Sequence, residues 1–112
     1  MIGITTHVLD TARGRPAAGI VVALARRSGE GWTELARAAT DASGRVANLL
    51  PTPGNAPAGT YRLRFEVEAY FIAQGVAAFY PYVEVVFQIR DGDHYHVPLL
   101  LSPFGYTTYR GS

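Results

Sequence analysis

The chain has 112 residues, no cysteine and a formal net charge of +1. Hydrophobic residues make up 48% and charged residues 17% of the sequence, which excludes a disordered chain because there is enough apolar surface for a core. Without cysteine, disulfides, a thiolate nucleophile and cysteine-based zinc sites are excluded. We expect a single domain over residues 1–112.

The distribution of charge and hydropathy also limits the partners. The arginines are scattered rather than gathered into a stripe, so no nucleic-acid-binding surface is indicated. No secretory signal pattern is visible at the N-terminus. The longest mostly apolar, uncharged run, Gly75 to Val83, is too short to span a bilayer. We expect a soluble cytoplasmic protein with no nucleic-acid or membrane partner.

The first half of the chain consists of short strand-forming runs separated by turn residues. Strands are predicted for Ile4 to Leu9, Gly19 to Arg27, Trp32 to Thr40 and Arg45 to Leu49. Turns are predicted at residues 13–16, 28–31 and 41–44. The proline-rich stretch 51–59 is predicted to be the longest loop.

The second half continues the pattern with one interruption. Residues 61–67 alternate apolar with charged, which predicts a half-buried antiparallel strand. Glu68 to Gln74 is compatible with a helix of about two turns that stops at Gly75. Further strands are predicted for Pro81 to Arg90, His94 to Ser102 and Tyr106 to Arg110, with a turn at 91–93. About eight short strands and one short helix indicate an all-β, two-sheet sandwich.

The run Val97 to Leu101 is apolar at every position. Successive side chains of a strand face opposite sides, so this strand is expected to be buried on both faces. Pro98 has no N–H and therefore favours an edge strand or a bulge. An edge strand buried on both faces predicts contact with another subunit, and hence an oligomer.

Three histidines, His7, His94 and His96, are the candidates for chemistry. His94 and His96 share a face of a regular strand and could bind a metal. However, no third ligand stands at a diagnostic spacing, so no metal site is expected. No Gly-x-Ser-x-Gly pattern is present, which disfavours a serine nucleophile. The remaining chemistry is non-covalent hydrolysis, in which one histidine activates water, a second donates a proton and an arginine holds negative charge. The residue types alone do not select the arginine.

Four segments of the chain resemble the 5-hydroxyisourate hydrolase family of transthyretin-like proteins. They are residues 6–11 (THVLDT) with 14–17 (GRPA), 40–45 (TDASGR), 79–83 (FYPYV), and 94–103 (HYHVPLLLSP) with 109–112 (YRGS). The terminal YRGS is the signature that separates this family from the hormone-carrying transthyretins. The resemblance runs almost from end to end.

The resemblance implies a transthyretin-like β-sandwich that assembles as a homotetramer, a dimer of dimers. The implied activity is hydrolysis of 5-hydroxyisourate to 2-oxo-4-hydroxy-4-carboxy-5-ureidoimidazoline in urate degradation, with no metal or organic cofactor, in a channel at the dimer–dimer interface. The family's catalytic residues map onto His7, Arg45 and His96. Substrate-binding residues map onto Tyr109, Arg110, Gly111 and Ser112. His94 is then expected to be structural.

Two other classes of function stay open at this point. One is a transthyretin-like carrier that binds a small ligand in the same channel without catalysis. The other is a purely structural sandwich, such as a pilus or adhesion module. His7, Arg45 and His96 favour the hydrolase over the carrier, because a carrier is expected to have an apolar channel lining. The sequence does not select which histidine is the base.

Overall fold

A computed structural model of the chain describes residues 3–50, 56–90 and 94–111. These residues form β1 (Ile4–Asp10), β2 (Arg15–Pro16), β3 (Val21–Ser28), β4 (Gly31–Ala39), β5 (Arg45–Val46), β6 (Gly59–Phe65), α1 (Val67–Ile72), β7 (Val83–Ile89), β8 (Tyr95–Ser102) and β9 (Gly105–Thr108). The predicted strands are confirmed with shifted ends, and β2 forms where a turn was predicted. The predicted turn at 91–93 and residues 51–55 of the predicted loop lie outside the described residues.

The strands form two sheets, as the all-β prediction requires. One has the order β2-β1-β8-β9, with β5 also paired to β1, and the other has the order β4-β3-β6-β7. β1 and β8 run parallel, whereas β6 pairs antiparallel with both β3 and β7, as predicted. The parallel pair brings the N-terminal strand against a strand near the C-terminus.

The core lies between the two sheets, because buried side chains alternate with less buried ones along strands such as β1 and β6, and the buried ones point to the inner face. In β1, every second residue from Ile4 is buried, and the intervening residues are only partly buried. In β6, Tyr61, Leu63 and Phe65 are fully buried. Each such side chain stabilises the fold by about 1.5–3 kcal/mol relative to exposure. The alternate, outward face of β1 therefore carries Thr5 and His7.

The helix α1 differs from its prediction in its ends. β6 ends at Phe65, and Val67 begins the helix while staying buried. The turn that follows reaches Gly75, whose φ of 71° is the left-handed conformation that glycine adopts at low cost. No helix in the part of the chain that the structure describes has the length and apolar character needed to cross a bilayer.

The prediction that Pro98 lies in an edge strand is wrong, because β8 lies between β1 and β9. The Tyr95 N–H donates to the Gly3 carbonyl on the β1 side, so by alternation the Pro98 nitrogen faces β9. On that side β9 ends at Thr108, so the N–H that proline lacks would lie just beyond the end of the β8–β9 ladder. The Thr108 Oγ1 instead donates a hydrogen bond to the Pro98 carbonyl at 2.8 Å. Pro98 is buried within its own chain, so its burial is not an argument for a second subunit.

Candidate active site

His7 and Arg45 are placed together by the pairing of β1 with β5. They are directly opposite partners in this antiparallel pair and therefore share the outward face of the sheet. The Nε2 of His7 lies 2.9 Å from the Ser43 carbonyl oxygen. A carbonyl oxygen only accepts, so we assign the proton to Nε2, which leaves Nδ1 as the acceptor nitrogen of the neutral ring.

The predicted turn at residues 41–44 is confirmed and holds Arg45 in place. The Asp41 Oδ1 accepts hydrogen bonds from the Ser43 N–H at 2.8 Å and the Arg45 N–H at 3.0 Å. The Arg45 bond is the main cause that lowers the pKa of Asp41. Gly44 has a φ of 76°, and a Cβ there would lie 2.3 Å from the Val8 carbonyl oxygen. Only glycine therefore fits at position 44. This turn geometry sets the position at which Arg45 enters β5.

His96 approaches the same face from β8. It is the parallel partner of Thr5, and its Nδ1 lies 2.8 Å from the Thr5 Oγ1. The Gly111 N–H donates to the His96 carbonyl at 2.8 Å, and a Cβ on Gly111 would lie 2.4 Å from His96 Cδ2. The ring is therefore restrained on one side by Thr5 and on another by Gly111.

Sequence reasoning missed Thr5 and gave His94 only a structural role. The Thr5 Oγ1 also lies 3.1 Å from the Nε2 of His94, so one hydroxyl contacts both imidazoles. A signal was present in the sequence, because Thr5 and His7 are two positions apart and share a strand face. What the sequence did not show is that β8 pairs with β1 in the register that brings His94 and His96 to Thr5.

These residues form an open cleft of about 450 Å³. Its lining comprises Thr5, Thr6, Asp41, Arg45, Val46, Ala47, His94 and His96. Burial is the main cause that lowers the pKa of His96, followed by the charges of Arg45, His7 and His94. Near neutral pH the His96 ring is therefore uncharged and has a lone pair. The cleft therefore holds a neutral imidazole and a fixed guanidinium.

The C-terminal residues divide between two places. Tyr109 and Arg110 line a different cavity, of about 330 Å³, next to β7 and β8. The Arg110 guanidinium lies 4.5 Å from the ring centroid of Tyr95, a side chain buried between the sheets. Within the described residues, only Gly111 of the four predicted substrate contacts touches His96, and Ser112 lies outside them. The role of all four in substrate binding stays a prediction.

A metal centre is not built into the described parts of the chain. Among residues 3–50, 56–90 and 94–111, no group of three or more His, Asp or Glu side chains is arranged to hold a metal ion. The Thr5 hydroxyl lies beside the Nδ1 of His96 and the Nε2 of His94. The polar groups that line the cleft are two imidazoles, a guanidinium, a carboxylate and hydroxyls.

Two sheets, one parallel strand pair and one short helix after the sixth strand define a transthyretin-like β-sandwich. The model of the HIUase/Transthyretin family matches residues 4–111. The chain belongs to that family, and the predicted fold and resemblance are confirmed.

Known relatives include both hydrolases and transthyretins. The 5-hydroxyisourate hydrolase of Mus musculus is 51% identical over 112 residues, which cover 97% of this chain and 94% of the relative. The structure of Klebsiella pneumoniae 5-hydroxyisourate hydrolase has a TM-score of 0.87 at 41% identity and covers 98% of this chain and 99% of that one. The structure of transthyretin from Sparus aurata has a TM-score of 0.91 at 38% identity, over 99% of this chain and 97% of that one. The backbone fold is therefore shared by both kinds of protein, and the side chains of the cleft must distinguish them.

Proposed function

We propose that this chain hydrolyses 5-hydroxyisourate to 2-oxo-4-hydroxy-4-carboxy-5-ureidoimidazoline in urate degradation. The observation that carries the proposal is the common outward face on which β1, β5 and β8 place His7, Arg45 and His96. Relatives named as 5-hydroxyisourate hydrolases, at 44–51% identity over nearly the whole chain, support it. A carrier of apolar ligands has no use for a guanidinium and two imidazoles in its cleft, with a third on the same face of the sheet.

In the proposed mechanism His96 is the general base. Its lowered pKa keeps the ring neutral, so Nε2 can take a proton from water as the water oxygen attacks a ring carbonyl carbon. Arg45 stabilises the negative charge that develops on the carbonyl oxygen. The ring C–N bond then breaks, and His96 returns its proton to the departing nitrogen. His7, held on Ser43 through Nε2, offers Nδ1 to orient water or substrate.

The remaining parts of the proposal concern substrate binding and assembly. Tyr109, Arg110, Gly111 and Ser112 are proposed substrate contacts, supported by the hydrogen bond from the Gly111 N–H to the backbone carbonyl of His96. No metal or organic cofactor is part of the mechanism, and a cytoplasmic location is kept as predicted from the sequence.

We propose a homotetramer, a dimer of dimers, in which facing sheets enclose the cleft. β7 and β9 end their sheets, and Val86 and Tyr106 on them are 57% and 41% exposed. Exposed apolar side chains along edge strands support an interface there. Light scattering is expected to give four chain masses, and a monomer would contradict the assembly.

Alanine variants of His7, Arg45 and His96 test the mechanism, with decay of freshly generated 5-hydroxyisourate followed by ultraviolet absorbance. Each is expected to lower kcat/KM by about 100-fold, since each removes an acid–base or charge-stabilising group. Arg37→Ala is the matched control, because Arg37 is exposed on β4 of the other sheet.

The outcomes separate the mechanism from the function. Rates near wild type in all three variants would refute the roles assigned to these residues. No substrate decay by the wild-type chain, together with binding of thyroxine, would favour the carrier instead.

A further inference from the structure

One hydroxyl group links His96 of β8 to His94, the residue just before this strand. The Thr5 Oγ1 lies 2.8 Å from His96 Nδ1 and 3.1 Å from His94 Nε2. A threonine hydroxyl has a single proton to donate, and each neutral imidazole has one N–H and one acceptor nitrogen. The direction of these two hydrogen bonds therefore couples the tautomer of His96 to that of His94.

Only one direction of these hydrogen bonds leaves His96 able to act as the proposed base. The His96 Nδ1 lies 2.8 Å from the Thr5 Oγ1, so this ring nitrogen is already engaged by the hydroxyl. When Nδ1 carries the proton and donates it to the Thr5 hydroxyl oxygen, Nε2 keeps the lone pair of the neutral ring. Gly111 packs against the Cδ2 edge of the ring. Nε2 is then the nitrogen with the lone pair, on a side chain that lines the cleft.

We propose that Thr5 and His94 are positioning residues for His96, an inference that rests on the proposed function. The Thr5 hydroxyl accepts from the Nδ1–H of His96 and donates its own proton to the Nε2 of His94. This chain holds His96 in the tautomer whose Nε2 can accept a proton from water. When His96 becomes an imidazolium during the reaction, the same Nδ1–H bond stabilises it. Neither Thr5 nor His94 needs to touch the substrate.

Thr5→Val tests the proposal, because valine has nearly the shape of threonine and suits a strand but has no hydroxyl. We expect kcat to fall about tenfold while KM stays within about twofold, because the base and not the binding surface is disturbed. In ¹⁵N NMR spectra at neutral pH, His96 is expected to shift from the Nδ1–H toward the Nε2–H form. Thr5→Ser retains the hydroxyl and is expected to keep the wild-type tautomer and at least a third of kcat.

Two further variants complete the test. His94→Phe removes the acceptor for the Thr5 proton and is expected to shift the His96 tautomer in the same direction as Thr5→Val. Thr33→Val, at an exposed position on β4 of the other sheet, controls for loss of a threonine hydroxyl and is expected to change neither kcat nor the His96 spectrum.

Unchanged kcat and an unchanged His96 tautomer in Thr5→Val would overturn the proposal, provided that the wild-type enzyme is active. The NMR measurement needs no substrate. A wild-type chain that does not hydrolyse 5-hydroxyisourate would therefore refute the proposed function separately, whichever tautomer is observed.

Discussion

Replacement of Gly111 by alanine is expected to move the His96 ring while leaving the fold almost unchanged. An added Cβ would lie 2.4 Å from His96 Cδ2, whereas two nonbonded carbons rest at about 3.5–4.0 Å. The bond from the Gly111 N–H to the His96 carbonyl keeps the two backbones together at 2.8 Å. The ring must therefore shift by roughly 1 Å, and a displacement of this size in a catalytic group costs about 100-fold in rate.

The assay for Gly111→Ala is the decay of 5-hydroxyisourate, followed together with thermal unfolding. Because Gly111 forms only an isolated bridge beyond β9, Tm is expected to change by less than about 2 °C. Gly105→Ala is the matched control, since its Cβ would meet Ser102 Oγ at an ordinary 3.7 Å. If Gly111→Ala keeps a kcat/KM within about threefold of wild type, the ring either has room to move or does not take part in the reaction.

Two further predictions concern the turn at residues 41–44 and His96, the proposed base. Gly44→Ala is expected to lower the free energy of unfolding by about 3 kcal/mol in urea titrations, because it combines a φ of 76° with a Cβ 2.3 Å from the Val8 carbonyl oxygen. Gly14→Ala has a similar φ of 67° but open space and should cost only about 1 kcal/mol; equal losses would contradict the steric argument. The NMR titration midpoint of His96 is expected below the ordinary pKa of about 6.5 and should rise in Arg45→Gln, since burial and the charges of Arg45, His7 and His94 lower this pKa. A midpoint at or above 6.5 in the wild type would contradict that environment. As the pH is lowered, the unfolded chain takes up a proton on His96 before the folded chain does. The free energy of unfolding is therefore unaffected by His96 above about pH 6.5 and decreases as the pH drops below that value.

Predictions that depend on neighbouring residues along the chain were confirmed. The alternation over residues 61–67 predicted a half-buried antiparallel strand; Tyr61, Leu63 and Phe65 occupy the core face of β6, whereas Val67 already begins the helix. The turn at 41–44 followed from its Asp and Gly, and the structure uses both to place Arg45. In each case the preference is set by side-chain spacing or by local backbone conformation, which are properties of a short segment.

Features that depend on which strands are neighbours were not predicted correctly from the sequence. Pro98 was assigned to an edge because proline has no N–H, but β8 lies inside its sheet and the missing donor falls beyond the end of β9. The guanidinium of Arg110 lies over the ring of Tyr95, a contact that the sequence did not predict, and the role of Arg110 in substrate binding stays a prediction. The interior position of β8 and the contact of Arg110 with Tyr95 are not set by residues within a few positions of Pro98 or Arg110.

The sequence by itself determined the two-sheet class of the fold and most strand positions, and its resemblance to the family selected His7, Arg45 and His96 as candidates. Only the tertiary structure decided that Thr5 joins His94 to His96, two residues that lie 89 and 91 positions away from it. The physical reason is the parallel register of β1 and β8, which burial of both strands selects across the whole chain. The spacing of residues along a single segment does not specify how that segment is aligned with a distant strand.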